Sequence, residues 1–209
     1  LEELIAREGV LLTRRRVEEA GLDPYILTRW LRRGRLERLQ RGVYRAVGAG
    51  PGLHEVQLEV QLRIPYGVIC LASALAFHGL TKYIPDAVHI AVPRDRKPPR
   101  LENPPLEVFF FSPKTYDFGI EAYPIGGQEL RVYSPEKTLA DMLCFKSHFY
   151  SLFLEGLSNY FSRPNLDLPK LNQAAKLRRV AGELSTLTEA LYSLLQVYPG
   201  NQTKEDRLD

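Results

Sequence analysis

The chain has 209 residues, 44% hydrophobic and 25% charged, which is the composition of an ordinary globular protein and favours two domains over one. The longest apolar run, Val68 to Ala72, is far short of a bilayer span, and the first eight residues carry acids and no apolar core, so no membrane partner and no secretory signal are expected and the cytoplasm is the expected location. The net charge of +3 conceals an asymmetry: residues 1–50 hold eleven Arg and no Lys against seven acids, while the other 159 residues carry a net −1.

Within that stretch, Arg14 through Arg45 contain ten Arg against four acids, a concentrated basic footprint of the kind that meets a polyanion. A solvated charged helix face is the competing reading, so arrangement has to decide. Leu1, Leu4 and Ile5 lie on one side of a short helix ended by Gly9. Thr13 caps a second helix that begins at Arg14 and Arg15 and stops at Gly21, and Asp23-Pro24 starts a third that runs to Arg33 before Gly34.

At 100° per residue, Ile26, Leu27, Trp30 and Leu31 of the third helix share one arc, and Tyr25, Thr28, Arg29, Arg32 and Arg33 share the opposite one. The apolar arc should pack inward with Trp30 as its anchor. The other presents guanidinium groups able to bond guanine edges or phosphate oxygens bidentately. After Arg35, the segments Leu36–Leu39 and Val43–Val47 read as a β-hairpin around Gln40-Arg41-Gly42, with Arg41 at the tip. Three helices followed by a hairpin, with a short Gly-containing turn between helices two and three, is the order of a winged helix-turn-helix whose third helix would enter the major groove of double-stranded DNA. The expected DNA-binding set is Arg14, Arg15, Tyr25, Thr28, Arg29, Arg32, Arg33, Arg35 and Arg41.

The run Leu31-Arg32-Arg33-Gly34-Arg35-Leu36-Glu37-Arg38-Leu39-Gln40-Arg41-Gly42-Val43-Tyr44-Arg45 resembles the corresponding stretch of the AbiEi-type antitoxin N-terminal domain. Ser73–Thr81, Val88–Pro93 and Ser134–Leu143 resemble, in the same order, the segments that follow it in that family. The resemblance implies a transcriptional autorepressor that binds inverted repeats in its own promoter as two copies. It also implies an antitoxin counteracting a co-transcribed nucleotidyltransferase toxin without a stable complex. It further associates a basic face in the C-terminal helices, here Arg163, Lys170, Lys176, Arg178 and Arg179, with neutralisation.

Gly48-Ala49-Gly50-Pro51-Gly52 reads as an interdomain linker, dividing a DNA-binding domain at 1–50 from an α+β domain at 51–209. The Glu and Gln content of His54–Ile64 favours a helix over a strand, Val68–Leu71 is a buried segment, and a helix capped by Ser73 ends at Gly79. Val88–Val92 and Leu106–Phe111 are strand-like, Ile120–Pro124 and Glu129–Tyr133 form a hairpin around Gly126-Gly127, and the chain is helical from Pro135 onward, with a polar tail from Tyr198. Arg94, Arg96, Lys97 and Arg100 lie in a Pro-rich loop that is read as solvated.

Cys70 and Cys144, far apart and each in an apolar neighbourhood, read as two buried free thiols. His54, His78, His89 and His148 have no His or carboxylate partner at metal-ligand spacing, and His78 should bond locally at its helix end. Glu136 and Asp141 point to different faces of one helix, with Glu136 read as interacting with the helix N-terminus. No catalytic site, metal or cofactor is expected. Two alternatives stay open: a winged-helix regulator whose C-terminal domain senses a ligand or dimerises without a toxin partner, and a nucleic-acid-modifying enzyme.

Overall fold

In this computed structural model, the structure describes residues 1–48, 50, 52 and 54–197; the expected linker therefore lies partly, and the expected tail wholly, outside the described residues. The chain opens with α1 (Glu2–Glu8), β1 (Leu11–Thr13), α2 (Arg14–Glu19), α3 (Tyr25–Arg32), β2 (Leu36–Gln40) and β3 (Val43–Ala46). The three strands form an antiparallel sheet in the order β1-β3-β2, so the helices and sheet together make a winged helix. Of these elements only β1 is unexpected, because three residues are too few for a period. It becomes a strand by pairing Leu12 with Tyr44 of β3.

The expected caps form. The Thr13 hydroxyl accepts from Arg16 N at 3.2 Å, and Asp23 Oδ1 accepts from Tyr25 N at 2.9 Å. Helix α3 ends in a Schellman motif: Gly34, at φ 66°, donates to Leu31 O, and Arg35 N donates to Trp30 O at 3.0 Å. In the hairpin a register break between Arg38 and Gln40 sets Gln40 opposite Val43, leaving Arg41 and Gly42 as the turn.

There follow α4 (Glu55–Arg63), β4 (Val68–Ile69), α5 (Leu71–Phe77), β5 (Val88–Pro93), β6 (Leu106–Phe111), α6 (Pro113–Tyr116), β7 (Ile120–Ile125) and β8 (Gln128–Tyr133). Four more helices complete the described chain: α7 (Pro135–Cys144), α8 (Lys146–Phe161), α9 (Leu168–Arg178) and α10 (Ala181–Val197). Helix α5 starts two residues before Ser73. The Ser73 hydroxyl instead accepts from His89 N at 2.9 Å, tying the helix to β5.

The five strands order as β6-β5-β4-β8-β7, with β5–β6 and β4–β8 parallel and the other pairs antiparallel. Alternation along the strands sorts their side chains onto two faces. Ile69, Ile90, Val92, Leu130 and Val132 pack with α4 and the winged helix, whereas Val68, Ala91, Phe111 and Tyr133 pack under the helical layer of α5 and α7–α10. Both faces are covered, which is why β5 is buried from Val88 to Val92 and apolar there except at His89.

One contact seats the winged helix on this body. Residues Gly126 and Gly127 make a two-residue hairpin turn with φ of 54° and 65°, the sign a type I′ turn demands of both positions. A Cβ on either glycine would run into Glu8 at the end of α1. Glu8 is 6% exposed, and its carboxylate receives bonds from Arg7 Nη2 and Arg16 Nε, each at 2.9 Å. Two further buried carboxylates on α4 extend the seat: Glu55 accepts from Val10 N at 3.0 Å, and Glu59 pairs with Arg45 of β3.

The Arg16 hydrogen bond, opposed by burial, holds the Glu8 carboxyl below the ordinary carboxylate range. Because the folded pKa lies below that of the unfolded chain, about 4.3, this contribution is complete above that value and is lost as pH falls through the folded one. Glu8→Gln is therefore expected to lower the thermal midpoint at neutral pH and to flatten the decline in stability on acidification. Melting curves between about pH 7 and pH 3 check it, and an unaltered acid limb would clear Glu8 of the role.

Candidate nucleic-acid interface

Helix α3 divides as its sequence period requires. Leu27 and Trp30 are buried, Ile26 and Leu31 pack against the same cluster, and Trp30 keeps 9% of its surface. On the opposite arc Tyr25, Thr28, Arg29 and Arg32 are exposed, followed by Arg33 at the C-cap. Tyr25, 61% exposed, stands at the first turn of the helix. The hairpin adds Arg38 and Arg41, both exposed.

Ion pairing separates the arginines of this region into two sets. Arg14 and Arg15 bond Glu18 and Glu19, four residues on, at 2.8 and 2.7 Å, while Arg7 and Arg16 hold Glu8. Arg35 pairs with Glu2 at 2.6 Å and lies over the Trp30 ring at 5.3 Å, and Arg45 is drawn inward by Glu37 and Glu59. Among the described residues, Arg29, Arg32, Arg33, Arg38 and Arg41 have no such partner. The expected site thus falls into a free group on α3 and the wing, and a neutralised group of Arg14, Arg15 and Arg35. Arg38 lies on the wing face and belongs with the free group; its place on the hairpin was legible, but its lack of a counter-ion was not.

Elsewhere the structure regroups several residues. The C-terminal basic face is largely engaged internally: Lys170 reaches Glu121 at 2.5 Å and Glu136 at 3.4 Å, Arg178 reaches Asp141 at 2.7 Å, and Arg163 donates to the His78 carbonyl. Lys176 and Arg179 remain exposed. Ser134 supplies the hydrogen-bonding cap of α7, and Glu136, in its first turn as expected, also accepts from Tyr160 at 2.9 Å. His78 bonds the distant Tyr133 carbonyl at 2.7 Å. Cys70 is buried as expected, but Cys144 is exposed at the end of α7, where the helix leaves the core.

Parallel pairing of β5 with β6 places His89 opposite Glu107, 3.4 Å between Nε2 and Oε2, a meeting that sequence spacing cannot reveal. Burial, opposed by Glu107, lowers the His89 pKa and favours the neutral ring. Among the described residues no group of three or more His, Cys, Asp or Glu could hold a metal ion, and no helix is long and apolar enough to cross a membrane.

Fold and surface together define a winged helix joined to an α+β body. Residues 1–47 match the family model described as "Transcriptional regulator, AbiEi antitoxin", so the winged-helix part of this chain is similar to that family. No match was found among curated proteins. A solved structure titled "Crystal structure of RV2827C protein from Mycobacterium tuberculosis" shares the fold at TM-score 0.50 and 19% identity, over 92% of this chain and 78% of that one.

The two arcs of α3 should separate in mutagenesis. Trp30→Ala is expected to cost about 3–5 kcal/mol as a truncated core aromatic, whereas Arg32→Ala and Arg33→Ala, removing no partner, should leave the unfolding midpoint in place. Denaturant titrations of the three variants provide the comparison, and a native-like Trp30→Ala would show that the anchor lies elsewhere.

Proposed function

We propose that the protein is a DNA-binding autorepressor and antitoxin, which occupies inverted repeats in its own promoter as two copies. Arg29, Arg32 and Arg33, with Tyr25 and Thr28, enter the major groove; Arg41 on the wing meets the backbone, assisted by Arg38. The observation that carries this reading is the unpaired set of guanidinium groups on α3 and the hairpin. Solvated arginines on a regulatory winged helix are ready to exchange small counter-ions for phosphates, a step that gains free energy from ion release. Arg14, Arg15 and Arg35 contribute by breaking their surface ion pairs, which are individually weak. The match of residues 1–47 to a regulator and antitoxin family supports the same reading. The functional partner is a nucleotidyltransferase toxin encoded beside it, countered without a stable complex.

The test is footprinting and salt-dependent binding on DNA upstream of the gene. A phosphate-contacting arginine such as Arg41, changed to Ala, is expected to reduce the slope of log K against log salt by about 0.9. A base-reading arginine, as proposed for Arg32 and Arg33, should cost ~1–3 kcal/mol on the operator and little on random DNA. If Arg32→Ala and Arg33→Ala bind both DNAs as the parent does, α3 is not the reading element.

A further inference from the structure

A second basic surface lies in the body, and it is concave. A cleft of about 560 Å³ opens where the parallel strands β5 and β6 end, and it is lined by Arg94, Lys114, Lys176, Arg178 and Arg179 together with Ser112 and Cys144. No carboxylate lines it. The cations come from separate parts of the chain: Arg94 follows β5, Lys114 sits in α6 after β6, and the other three occupy the last turn and cap of α9. The strand ends are locked together, with Pro93 opposite Phe111 and Arg94 N donating to Phe111 O at 3.0 Å. Carboxyl ends of parallel strands are where open sheets commonly receive ligands.

The floor of the cleft is preorganised. Arg178, 13% exposed, pairs with Asp141 at 2.7 Å and lies over the Phe111 ring at 5.0 Å and the Phe145 ring at 5.9 Å. Asp141, fully buried, also pairs with the fully buried Lys137, so one carboxylate serves two basic side chains and Arg178 is held in place from below. Above it Arg94, Lys114, Lys176 and Arg179 are exposed and have no side-chain partner among the described residues. Arg179 closes α9 with a left-handed backbone at φ 61°, and Val180 N donates to Ala175 O at 2.9 Å, so the end of the helix is fixed at the cleft. The dipole of α9 accounts for cations in its last turn, but not for Arg94 and Lys114 arriving from two other elements.

We propose that this cleft binds a polyphosphate, either an inorganic chain or the tail of a nucleoside triphosphate. Converging cations and a hydroxyl without any acid suit a compact anion with several ionised oxygens. The volume falls within the range of small-ligand sites. A single-stranded nucleic acid would call for rings on which to stack its bases; the aromatic rings here lie under Lys137 and Arg178 and none lines the cleft.

Calorimetric titration with ATP, GTP and inorganic tripolyphosphate tests the assignment. Saturable binding of one ligand per chain is expected, with tripolyphosphate competing for the site. Arg94→Glu and Lys176→Glu, both surface changes whose folding is verified by melting, should each weaken binding by roughly tenfold or more, the equivalent of a lost charge-assisted bond. The triphosphates should also slow alkylation of Cys144, which lines the cleft, while Cys70 stays protected in the folded chain. Three results would overturn the proposal: no saturable binding, binding unchanged in both variants but lost in Arg32→Glu, or displacement of the triphosphate by a short single-stranded RNA that binds the cleft more tightly. None of these outcomes depends on whether α3 reads DNA.

Discussion

The placement of acids decides what the N-terminal region can do. Seven carboxylates stand among eleven arginines in residues 1–50, so most of the positive charge could have been cancelled locally. Six of the acids instead stand on α1, on the last turn of α2 and at Glu37, the seventh, Asp23, bonds the first turn of α3, and Glu59 of α4 contributes from the body. Every pair they form draws an arginine along α2, towards α1 or into the seat. What remains uncompensated is confined to the outer arc of α3 and the neighbouring hairpin. A basic patch of this kind is a property of the folded arrangement, because the unfolded chain would average the same charges over a coil.

The same carboxylates that neutralise also fasten. Glu8 meets two guanidinium groups on one side and a glycine turn on the other, and Glu55 and Glu59 reach from α4 to Val10 and Arg45. Apolar residues of α1, α3 and β2 share one cluster with Leu58, Val60 and Ile64 of the following segment and with strands β5 and β8. The outer arc of α3 is thereby carried at a fixed attitude to the five-stranded sheet.

Much of this was legible in the sequence because it is local. The facing of Trp30 away from Arg29 and Arg32 follows from a single helical period, and the caps at Thr13 and Asp23 and the stop at Gly34 require only neighbouring residues. The same holds for the Gly126-Gly127 hairpin, whose turn chemistry is self-contained. What could not be read depends on pairing across the chain. β1 exists because β3 lies beside it, Ser73 serves β5 and not its own helix terminus, and His89 meets Glu107 only once two parallel strands are in register. Cys144 illustrates the limit of composition: apolar neighbours in sequence did not bury it, because α7 leaves the core at its last residue.

The same division of cations applies to the C-terminal helices. Arg163, Lys170, Lys176, Arg178 and Arg179 form an apparent basic set in sequence, yet three of them are engaged internally, with a backbone carbonyl, with the Glu121 and Glu136 carboxylates, and with Asp141. Burying an acid such as Asp141 is tolerable only with close cationic partners, so Lys137 and Arg178 are obliged to it first. Their aromatic neighbours, Phe111, Tyr133 and Phe145, add quadrupole attraction that holds two cations near one anion. The cations without such a partner stand at the mouth of the cleft, where Lys176 and Arg179 of α9 join Arg94 and Lys114 from the sheet side.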